Sequence, residues 1–402
     1  MDITIHPCPL TGEIQVIPSK SQAHRLLICA AFSENCTNLI CPEINQDIEA
    51  TAQCLNLICH AIMRLPWGYD VCPYLYDDSG PGSVYLNCQE SGSTLRFLLP
   101  IIGALGIPAV FKMEGRLPKR PLSPLWEEME RMGCKLQWYS DSELILEGRL
   151  RAGNYYIDGG VSSQFITGLL FATSLLEGDS TIHITGTLES KPYINMTLQA
   201  MAQFGVKVDD FHVKGGQKYR SPEKVTVEGD WSNGAFFLAA NALGSDLKVL
   251  GLYENSAQGD KAVVQLLRQL EAGMPVISAK DIPDLVPILS VVAAAKHGAV
   301  FTDIRRLRLK ESDRVASTFA MIQNLGGKAQ AEENSLTVFG TGLTGGTVDA
   351  VNDHRIAMAA AIAATICNMP VSIIGAECVK KSYPQFWDEY ARLGGNYEQY
   401  LR

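Results

Sequence analysis

The sequence predicts an α/β protein with two domains, and three observations support this fold class. The chain has 402 residues, which exceeds the roughly 250–300 residues at which single hydrophobic cores stop growing. At six places a short polar cluster stands directly before an apolar run of helical length. Runs typical of β-strands lie between these apolar helices, so helices and strands should alternate within a repeated unit.

The six apolar runs recur at a nearly constant interval. Their starts are spaced by 71, 71, 69, 51 and 71 residues, counted along Ser21, Gly92, Ser163, Ser232, Pro283 and His354. A second series of glycines follows amphipathic helical patterns at spacings of 72, 68, 53 and 68 residues, at Gly133, Gly205, Gly273, Gly326 and Gly394. Because both series are short at the same unit, they report a single repeat.

Each repeat is predicted to contain a buried helix, an amphipathic helix with glycine at its C′ position, and several strands. The predicted strands include residues 143–147, 181–185, 224–227 and 335–339. A βαβαββ unit used six times accounts for this set. The third unit ends near Val227 and the fourth begins at Glu228, so we expect three units in each domain.

The charge of the chain disfavours several classes of protein. Its formal net charge is −9, whereas general nucleic-acid binders and membrane-surface proteins are usually basic. The first residues lack a basic segment followed by an apolar one, and no apolar run reaches the ~18 residues that span a bilayer. We therefore expect a cytoplasmic protein that binds neither nucleic acid nor membrane.

The cysteines predict neither a disulfide framework nor a metal centre. Eleven cysteines are spread along the chain without CxxC spacing, which is typical of reduced thiols in the cytosol. Cys54, Cys59 and His60 could be considered as metal ligands, but their segment has a helical pattern, in which cysteine is usually a small buried residue. We expect no metal and no cofactor.

Basic residues accompany the polar clusters at the helix starts. The free N–H groups and the dipole of a helix N-terminus favour anions, and capping explains serine or asparagine at any one of them. Capping does not explain arginine and lysine, which oppose the dipole. If several such clusters converge, they suit a multiply charged ligand, with arginine binding phosphate or carboxylate as a fork and lysine as a point charge.

Ten segments together resemble the 5-enolpyruvylshikimate-3-phosphate synthase family of enolpyruvyl transferases. In the family's order and spacing they read PSKSQAHR, ESGSTLR, GRLPKRP, DGGVSSQF, SKPYINMTL, VEGDWSN, IPD, KESDR, NDHR and KKSYP, from Pro18 to Pro384. The resemblance implies a two-domain inside-out α/β barrel with three βαβαββ repeats per domain and the active site in the interdomain cleft. It also implies that residues 1–16 join residues 228–402 in one domain and that residues 17–227 form the other.

The resemblance further implies a reaction and its binding residues. The reaction transfers the enolpyruvyl group of phosphoenolpyruvate to the 5-hydroxyl of shikimate 3-phosphate and releases phosphate. The resemblance also implies a monomer. The implied contacts of shikimate 3-phosphate are Lys20, Ser21, Arg25, Ser162, Ser163, Gln164, Ser190, Asp284 and Lys310, with Tyr193 nearby. The implied contacts of phosphoenolpyruvate are Lys20, Gly92, Arg120, Gln164, Arg314, Arg355 and Lys381.

Within the second set, Arg314 and Arg355 would hold the carboxylate of phosphoenolpyruvate, and the three other cations its phosphate. The chemistry needs a base for the 5-hydroxyl and an acid for the methylene carbon, with a tetrahedral intermediate between addition and elimination. By resemblance Asp284 is the base, Glu311 is the proton donor and Lys20 assists either step. The reverse assignment of the two carboxylates stays open, and fixed cations would hold the developing charge.

Three positions depart from the common family pattern. Ile17 and Pro18 replace Pro-Gly before the SKS stretch, Glu90 replaces an asparagine, and Arg306 replaces another asparagine four residues before the KESDR lysine. We assign no substrate contact to Glu90 or Arg306.

Two alternative functions share part of this pattern. A UDP-N-acetylglucosamine enolpyruvyl transferase has the same fold and donor, but its N-terminal loop typically has Lys-Asn where this chain has Lys-Ser. A non-catalytic phosphosugar-binding module would keep the anion site alone, which the presence of Asp284, Glu311 and Lys20 argues against.

Overall fold

The structure is a computed structural model, and it describes residues 1–59, 62–73 and 83–400. The α-helices are α1 (Lys20–Ala31), α2 (Gln46–Cys59), α3 (Gly92–Leu105), α4 (Leu125–Arg131), α5 (Ser163–Ser174), α6 (Lys191–Gln203), α7 (Trp231–Ala242), α8 (Val263–Ala272), α9 (Val286–Ala295), α10 (Arg314–Asn324), α11 (His354–Ala364) and α12 (Phe386–Arg392). Short 3-10 helices lie at Leu117–Lys119, Gly259–Ala262, Arg305–Leu309 and Ala376–Lys381.

The strands are short and belong to six sheets. They are β1 (Asp2–His6), β2 (Thr11–Gln15), β3 (Thr37–Ile40), β4 (Ile62–Leu65), β5 (Gly68–Val71), β6 (Val84–Asn87), β7 (Ala109–Lys112), β8 (Cys134–Ser140), β9 (Glu143–Gly148), β10 (Asn154–Asp158), β11 (Ser180–Thr185), β12 (Val208–Asp209), β13 (His212–Val213), β14 (Lys224–Thr226), β15 (Asp246–Leu250), β16 (Val276–Ser278), β17 (Gly298–Thr302), β18 (Lys328–Ala331), β19 (Ser335–Phe339), β20 (Gly346–Asp349), β21 (Val371–Ile374) and β22 (Asn396–Tyr400).

The chain divides into two compact units. Unit one combines Met1–Ile17 with Glu228–Arg402, and unit two is Pro18–Val227. Each unit has a hydrophobic core of its own, built from the buried faces of its helices and sheets. Two separate cores are expected for a chain of this length, because one core would have to exceed the usual size limit.

The sheets repeat one pattern of strand pairing. In β6-β7-β9-β8 the first pair is parallel and the next two pairs are antiparallel. The same pattern recurs in β10-β11-β13-β12, β14-β3-β5-β4, β16-β17-β19-β18 and β20-β21-β1-β22. This arrangement is the one that a βαβαββ unit forms, and it confirms the predicted α/β fold class.

One unit differs from the predicted repeat. Among the described residues the sixth sheet contains only β15 and β2, which pair in parallel. Strand β15 lies in the repeat between Ser232 and Pro283, whose interval is 51 residues rather than about 70, and β2 comes from the N-terminal segment of the chain. The shorter interval leaves no room for the antiparallel pair, so this unit lacks the last two strands that the sequence predicted.

All six apolar runs form helices, as the sequence predicted, and side chains cap the N-termini of five of them, whereas α9 has no side-chain cap. Ser19, Ser91 and Ser162 each accept a backbone N–H in the first turn of α1, α3 and α5. Asp230 and Asp353 do the same for α7 and α11. The caps satisfy N–H groups that would otherwise lack a partner, and they fix the helix starts on which the candidate site residues lie.

The glycines that end the amphipathic helices have two conformations. Gly133, Gly205, Gly326 and Gly394 have φ values of 114°, 81°, 85° and 95°, a region that glycine reaches without steric cost. Gly273 has a φ of 170° and directly follows α8 as its C-cap, so the prediction of a glycine at the C′ position is wrong at the end of α8.

The expectation that every cysteine is a free thiol is wrong for one pair. Cys36 and Cys72 form a disulfide with their Cα atoms 4.1 Å apart, because the antiparallel register of β3 and β5 places Thr37 opposite Val71 at this end of the strands. Cys54 is buried in α2, as expected for a small apolar residue. His60 lies outside the described residues.

Helices long and apolar enough to cross a membrane are absent from residues 1–59, 62–73 and 83–400. The same residues contain no group of three or more histidine, cysteine, aspartate or glutamate side chains arranged to hold a metal ion.

Candidate functional site

In unit two, Lys20 is positioned by an acidic residue that the sequence analysis did not select. The Lys20 ammonium lies 2.8 Å from Asp47 Oδ2, and both side chains are 17% exposed. Lys20 begins α1 and Asp47 lies in the first turn of α2. The ion pair therefore holds the ammonium at the start of α1, partly shielded from solvent.

A buried hydrogen-bond chain joins the starts of α2 and α3 to α1. His24 Nδ1 lies 2.7 Å from the Thr51 hydroxyl, which lies 2.6 Å from the Thr94 hydroxyl. Thr94 in turn donates to Ser91 Oγ at 2.7 Å and contacts the Asp47 carbonyl oxygen at 3.5 Å. Burial, with the charges of Lys20 and Arg25, lowers the pKa of His24 well below its usual value. A neutral His24 therefore supports these helix starts without adding charge.

Gly92, Arg96, Arg120 and Gln164 come together at the start of α3. A side chain at Gly92 would place its Cβ 2.7 Å from Arg120 Nη1 and 3.1 Å from Arg96 Nη1, so any larger residue would have to displace these guanidinium groups. Arg96 Nη1 donates to Gln164 Oε1 at 2.8 Å, and Gln164 Nε2 donates to Ser93 Oγ at 3.0 Å. Guanidinium and amide donors thus surround a helix N-terminus, which is suited to a phosphate.

Arg25 is almost fully buried and joins three helices. Its Nε donates to the Thr197 hydroxyl at 2.8 Å, its Nη1 to the Ser21 carbonyl at 2.6 Å, and its Nη2 to the Tyr193 carbonyl at 2.9 Å. The guanidinium also lies 5.1 Å from the centre of the Phe97 ring. Burial lowers the pKa of Arg25 to about 10. Arg25 therefore has a structural function in fixing α1 against α6, in addition to its predicted contact with substrate.

The three predicted serine contacts of α5 and α6 lie at helix starts. Ser162 accepts the Gln164 N–H at 3.3 Å as the cap of α5, and Ser163 is the first residue of that helix. Ser190 precedes α6 with a φ of 55°, and its side chain makes no capping hydrogen bond. A left-handed backbone at a non-glycine residue is strained and is enriched at functional sites.

In unit one, Arg314 is the centre of the predicted site. It is 1% exposed, and its Nη1 donates to Asp284 Oδ1 at 2.6 Å. Its Nη2 donates to Glu311 Oε2 at 2.8 Å, and its Nε donates to Asp353 Oδ2 at 3.0 Å. Three carboxylates therefore share one buried guanidinium, and the attraction outweighs burial and raises the pKa of Arg314 above its usual value.

Asp284 joins the other cations of this unit. Its Oδ2 lies 3.5 Å from Arg355 Nη2, and its Oδ1 lies 3.8 Å from Lys310 Nζ. Burial alone would raise the pKa of Asp284, but the charges of Lys310, Arg314 and Arg355 together hold it well below its usual value. Burial lowers the pKa of Lys310 to about 8, although Asp284 opposes this shift. Asp284 is thus ionised at neutral pH.

Lys381 lies at the edge of the same cluster. It ends the 3-10 helix Ala376–Lys381, and its Nζ donates to the Asn352 carbonyl oxygen at 3.1 Å. Asn352 precedes the capping residue Asp353, whose carboxylate binds Arg314 and also accepts the Ser312 hydroxyl at 2.9 Å. The structure therefore brings Asp284, Lys310, Glu311, Arg314 and Arg355 into one cluster, and Lys381 binds the segment that leads to Asp353.

The sequence analysis missed several residues that support these contacts. Asp47 and Asp353 bind the predicted cations directly, and Asn233 Oδ1 accepts from Arg355 Nη1 at 3.3 Å. Asp353 and Asn233 stand inside the NDHR and WSN segments, so their motifs were a usable signal. Asp47 follows an ordinary helix-start pattern, and only the structure identifies its partner.

Two of the three positions that depart from the family pattern, Glu90 and Arg306, have distinct surroundings. The Glu90 carboxylate packs against Gly115, where a side chain would place its Cβ 2.5 Å from Glu90 Oε2. Gly115 has a φ of 56°, a left-handed conformation that favours glycine, whereas the flexible end of Glu90 could move aside. Arg306 lies in the 3-10 helix Arg305–Leu309, and its charge contributes to lowering the pKa of Lys310.

Comparison with known sequences gives one consistent set of relatives. A profile of the family described as EPSP synthase (3-phosphoshikimate 1-carboxyvinyltransferase) matches residues 5–390. The 3-phosphoshikimate 1-carboxyvinyltransferase of Clostridium kluyveri is 37% identical, over 99% of this chain and 98% of the relative. The protein of the same name from Clostridium acetobutylicum is 38% identical, over 99% of this chain and 98% of the relative.

Solved structures with the same fold are more distant in sequence. An EPSP synthase from Acinetobacter baumannii has a TM-score of 0.80 and 22% identity, covering 99% of this chain and 100% of that chain. The enolpyruvyl transferase NikO from Streptomyces tendae has a TM-score of 0.74 and 16% identity, covering 99% of this chain and 98% of that chain. At such low identity these two structures support the fold alone.

The cluster around Arg314 predicts a large difference between two arginine substitutions. Arg314→Met leaves Asp353, which is 0% exposed, without its cation, and breaking a buried pair costs about 3–5 kcal/mol. Arg308→Met removes a pair with Asp313 whose side chains are 35% and 39% exposed, and such pairs contribute at most about 1 kcal/mol. Urea unfolding of both variants measures the two losses. Equal losses would show that the buried carboxylates do not depend on Arg314.

Proposed function

The chain belongs to the EPSP synthase (3-phosphoshikimate 1-carboxyvinyltransferase) family, and we therefore propose that it transfers the enolpyruvyl group of phosphoenolpyruvate to the 5-hydroxyl of shikimate 3-phosphate and releases phosphate. This activity makes the chain a transferase of the shikimate pathway, which leads to the aromatic amino acids. The observation that carries the proposal is the cluster of Asp284, Glu311, Arg314 and Arg355, in which candidate acid–base groups and anion-binding groups adjoin.

The residues proposed for shikimate 3-phosphate lie in both units. Lys20, Ser21, Arg25, Ser162, Ser163, Gln164 and Ser190 belong to unit two, and Asp284 and Lys310 belong to unit one. The helix starts of α1 and α5 supply backbone N–H groups and hydroxyl donors for the phosphate. Asp284 and Lys310 supply the charged groups for the ring hydroxyls.

The residues proposed for phosphoenolpyruvate follow the charges of its two ends. Arg314 and Arg355 bind the carboxylate, and Lys20, Arg120 and Lys381 bind the phosphate together with Gly92 and Gln164. In the free protein Arg314 and Arg355 are both bonded to Asp284. A substrate carboxylate that takes over part of these interactions neutralises the cations which hold the pKa of Asp284 low. Binding of phosphoenolpyruvate therefore makes Asp284 a stronger base.

The proposed addition step removes one proton from the acceptor hydroxyl and adds one to the methylene carbon of phosphoenolpyruvate. Asp284 removes the proton of the 5-hydroxyl as its oxygen bonds to the second carbon of phosphoenolpyruvate, and Glu311 donates a proton to the methylene carbon. In elimination the new methyl group returns a proton to Glu311, the bond from carbon to the phosphate oxygen breaks, and phosphate leaves with the proton that Asp284 took from the hydroxyl. Lys20, Arg314 and Arg355 stabilise the charge of the tetrahedral intermediate. The reverse assignment of Asp284 and Glu311 uses the same contacts.

We also propose that the chain works as a cytoplasmic monomer with phosphoenolpyruvate and shikimate 3-phosphate as its small-molecule partners. The proposal is supported by its family membership and by the acidic charge of −9, which disfavours nucleic acid and membrane surfaces as partners. Neither a metal nor a cofactor is part of the proposed reaction.

The proposed reaction predicts a strict requirement for two substrates. We expect the purified chain to release inorganic phosphate when phosphoenolpyruvate and shikimate 3-phosphate are both supplied, and to release none with either alone, in buffer without added metal. A coupled phosphate assay measures this directly. Release with UDP-N-acetylglucosamine as acceptor would assign the chain to the sister reaction, and binding of both substrates without release would favour a non-catalytic module.

The proposed base predicts an effect on turnover rather than on binding. Asp284→Asn keeps the side-chain shape but cannot accept the 5-hydroxyl proton, so kcat should fall about 10²–10⁴-fold with a much smaller change in the KM of shikimate 3-phosphate. The matched control is Asp246→Asn, since Asp246 is exposed at the start of β15. Steady-state kinetics separates the two parameters. A raised KM with unchanged kcat would show that Asp284 is only a contact.

A further inference from the structure

A buried carboxylate of unit one has no part in the proposed mechanism. Asp260 lies in the 3-10 helix Gly259–Ala262 and is 2% exposed. Its Oδ2 accepts a hydrogen bond from the Ser232 hydroxyl, while its Oδ1 is buried without a hydrogen-bond partner. A buried carboxylate with an unused oxygen is costly if it stays ionised, so Asp260 needs either a proton or a compensating charge.

Two neighbouring side chains also have unused polar atoms. Asn233 Nδ2 and Arg355 Nε are buried without partners, and Arg355 Nη1 donates to Asn233 Oδ1 at 3.3 Å. Ser232, which donates to Asp260, directly precedes Asn233 at the start of α7, so Asp260 and Arg355 bind adjacent residues. Asp260, Asn233 and Arg355 thus form a buried polar group beside Asp284, which accepts from Arg355 Nη2 at 3.5 Å.

The charges that face Asp260 come from three other elements. Burial and the negative charge of Asp284 raise the pKa of Asp260 to about 7, and Asp230 at the start of α7 acts in the same direction. The Ser232 hydroxyl and Arg355 of α11 oppose the shift. The other charged groups nearby have partners or positions of their own. Lys261 Nζ donates to the Ser256 carbonyl oxygen at 2.7 Å. On α8, Arg268 lies more than a turn from the 3-10 helix, and Glu271 pairs with Lys296.

We propose that Asp260 is a positioning residue which, in its neutral form, leaves the charge of Arg355 available to the carboxylate of phosphoenolpyruvate. This inference rests on the proposed function, because it needs Arg355 to bind that carboxylate. When Asp260 is ionised, its charge competes with the substrate for the same guanidinium. When Asp260 is neutral, it no longer competes, and the positive charge of Arg355 is available to the carboxylate of the ligand.

The sign of the pH dependence follows from this competition. Below pH 7 Asp260 is mostly neutral and phosphoenolpyruvate binds well. As the pH rises through about 7, Asp260 loses its proton and binding weakens. By linkage, bound phosphoenolpyruvate favours the neutral acid, so binding near this pH takes up a proton at Asp260.

The test is the KM of phosphoenolpyruvate between pH 6 and pH 8.5 in three variants and the wild-type chain. For the wild type we expect KM to rise about five-fold or more with a midpoint near 7. Asp260→Asn imitates the neutral acid and should remove the part of the rise that depends on Asp260. Ser232→Ala removes a hydrogen bond that stabilises the ionised form, so its midpoint should move up by about one pH unit.

The control and the opposing outcomes keep the inference separate from the proposed function. Asp246→Asn should follow the wild-type curve, and the ionisation of phosphoenolpyruvate itself affects all four proteins equally. Identical curves for Asp260→Asn and the wild type would overturn the inference while the function stands. If Asp260→Asn does not fold, an unmoved midpoint in Ser232→Ala overturns it. If the wild type has no activity, the function is overturned instead, and infrared spectra of the wild type still test Asp260. We expect the band of a buried protonated carboxyl group at pH 6, and this band should disappear above pH 8. Absence of the band at pH 6 contradicts the inference.

Discussion

The hydrogen bonding of Arg314 is the constraint on which unit one depends. A guanidinium that is 1% exposed is tolerable only when its charge is compensated, and Asp284, Glu311 and Asp353 provide that compensation. These carboxylates come from three separate segments of the chain. The same ionic cluster therefore fixes the tertiary packing around α10 and α11 and places the two candidate acid–base groups on either side of one cation.

In unit two the buried Arg25 is held in a different way. Arg25 donates to hydroxyl and carbonyl oxygens of α1 and α6, and these neutral acceptors satisfy its geometry without cancelling its charge. The charge of Arg25 is therefore held by neutral groups, whereas Lys20 of the same unit is paired with the Asp47 carboxylate. Unit one instead uses carboxylates, which suits proton transfer. The division matches the chemistry of a reaction that must hold phosphates firmly and move protons between fixed groups.

Much of the fold and the candidate site could be predicted because both depend on local sequence patterns. The six apolar runs at near-constant spacing identified the helices, and the KESDR and NDHR segments identified Arg314 and Arg355. The partners of these cations were harder to predict, since the contact between Lys20 and Asp47 joins two helices whose sequences carry no sign of the pairing. The Cys36–Cys72 disulfide was missed for a similar reason, because it depends on the register of β3 and β5.

The most direct test of the shared guanidinium is the titration of the Asp284 carboxyl by carbon NMR, using ¹³C-labelled aspartate and Asp284→Asn for assignment. In the free chain we expect Asp284 to stay ionised well below the usual pKa of aspartate, because Lys310, Arg314 and Arg355 stabilise its charge. Addition of phosphoenolpyruvate with shikimate 3-phosphate should raise that pKa as the substrate carboxylate engages Arg314 and Arg355. An ordinary pKa in the free chain, or no change on binding, would contradict the central claim.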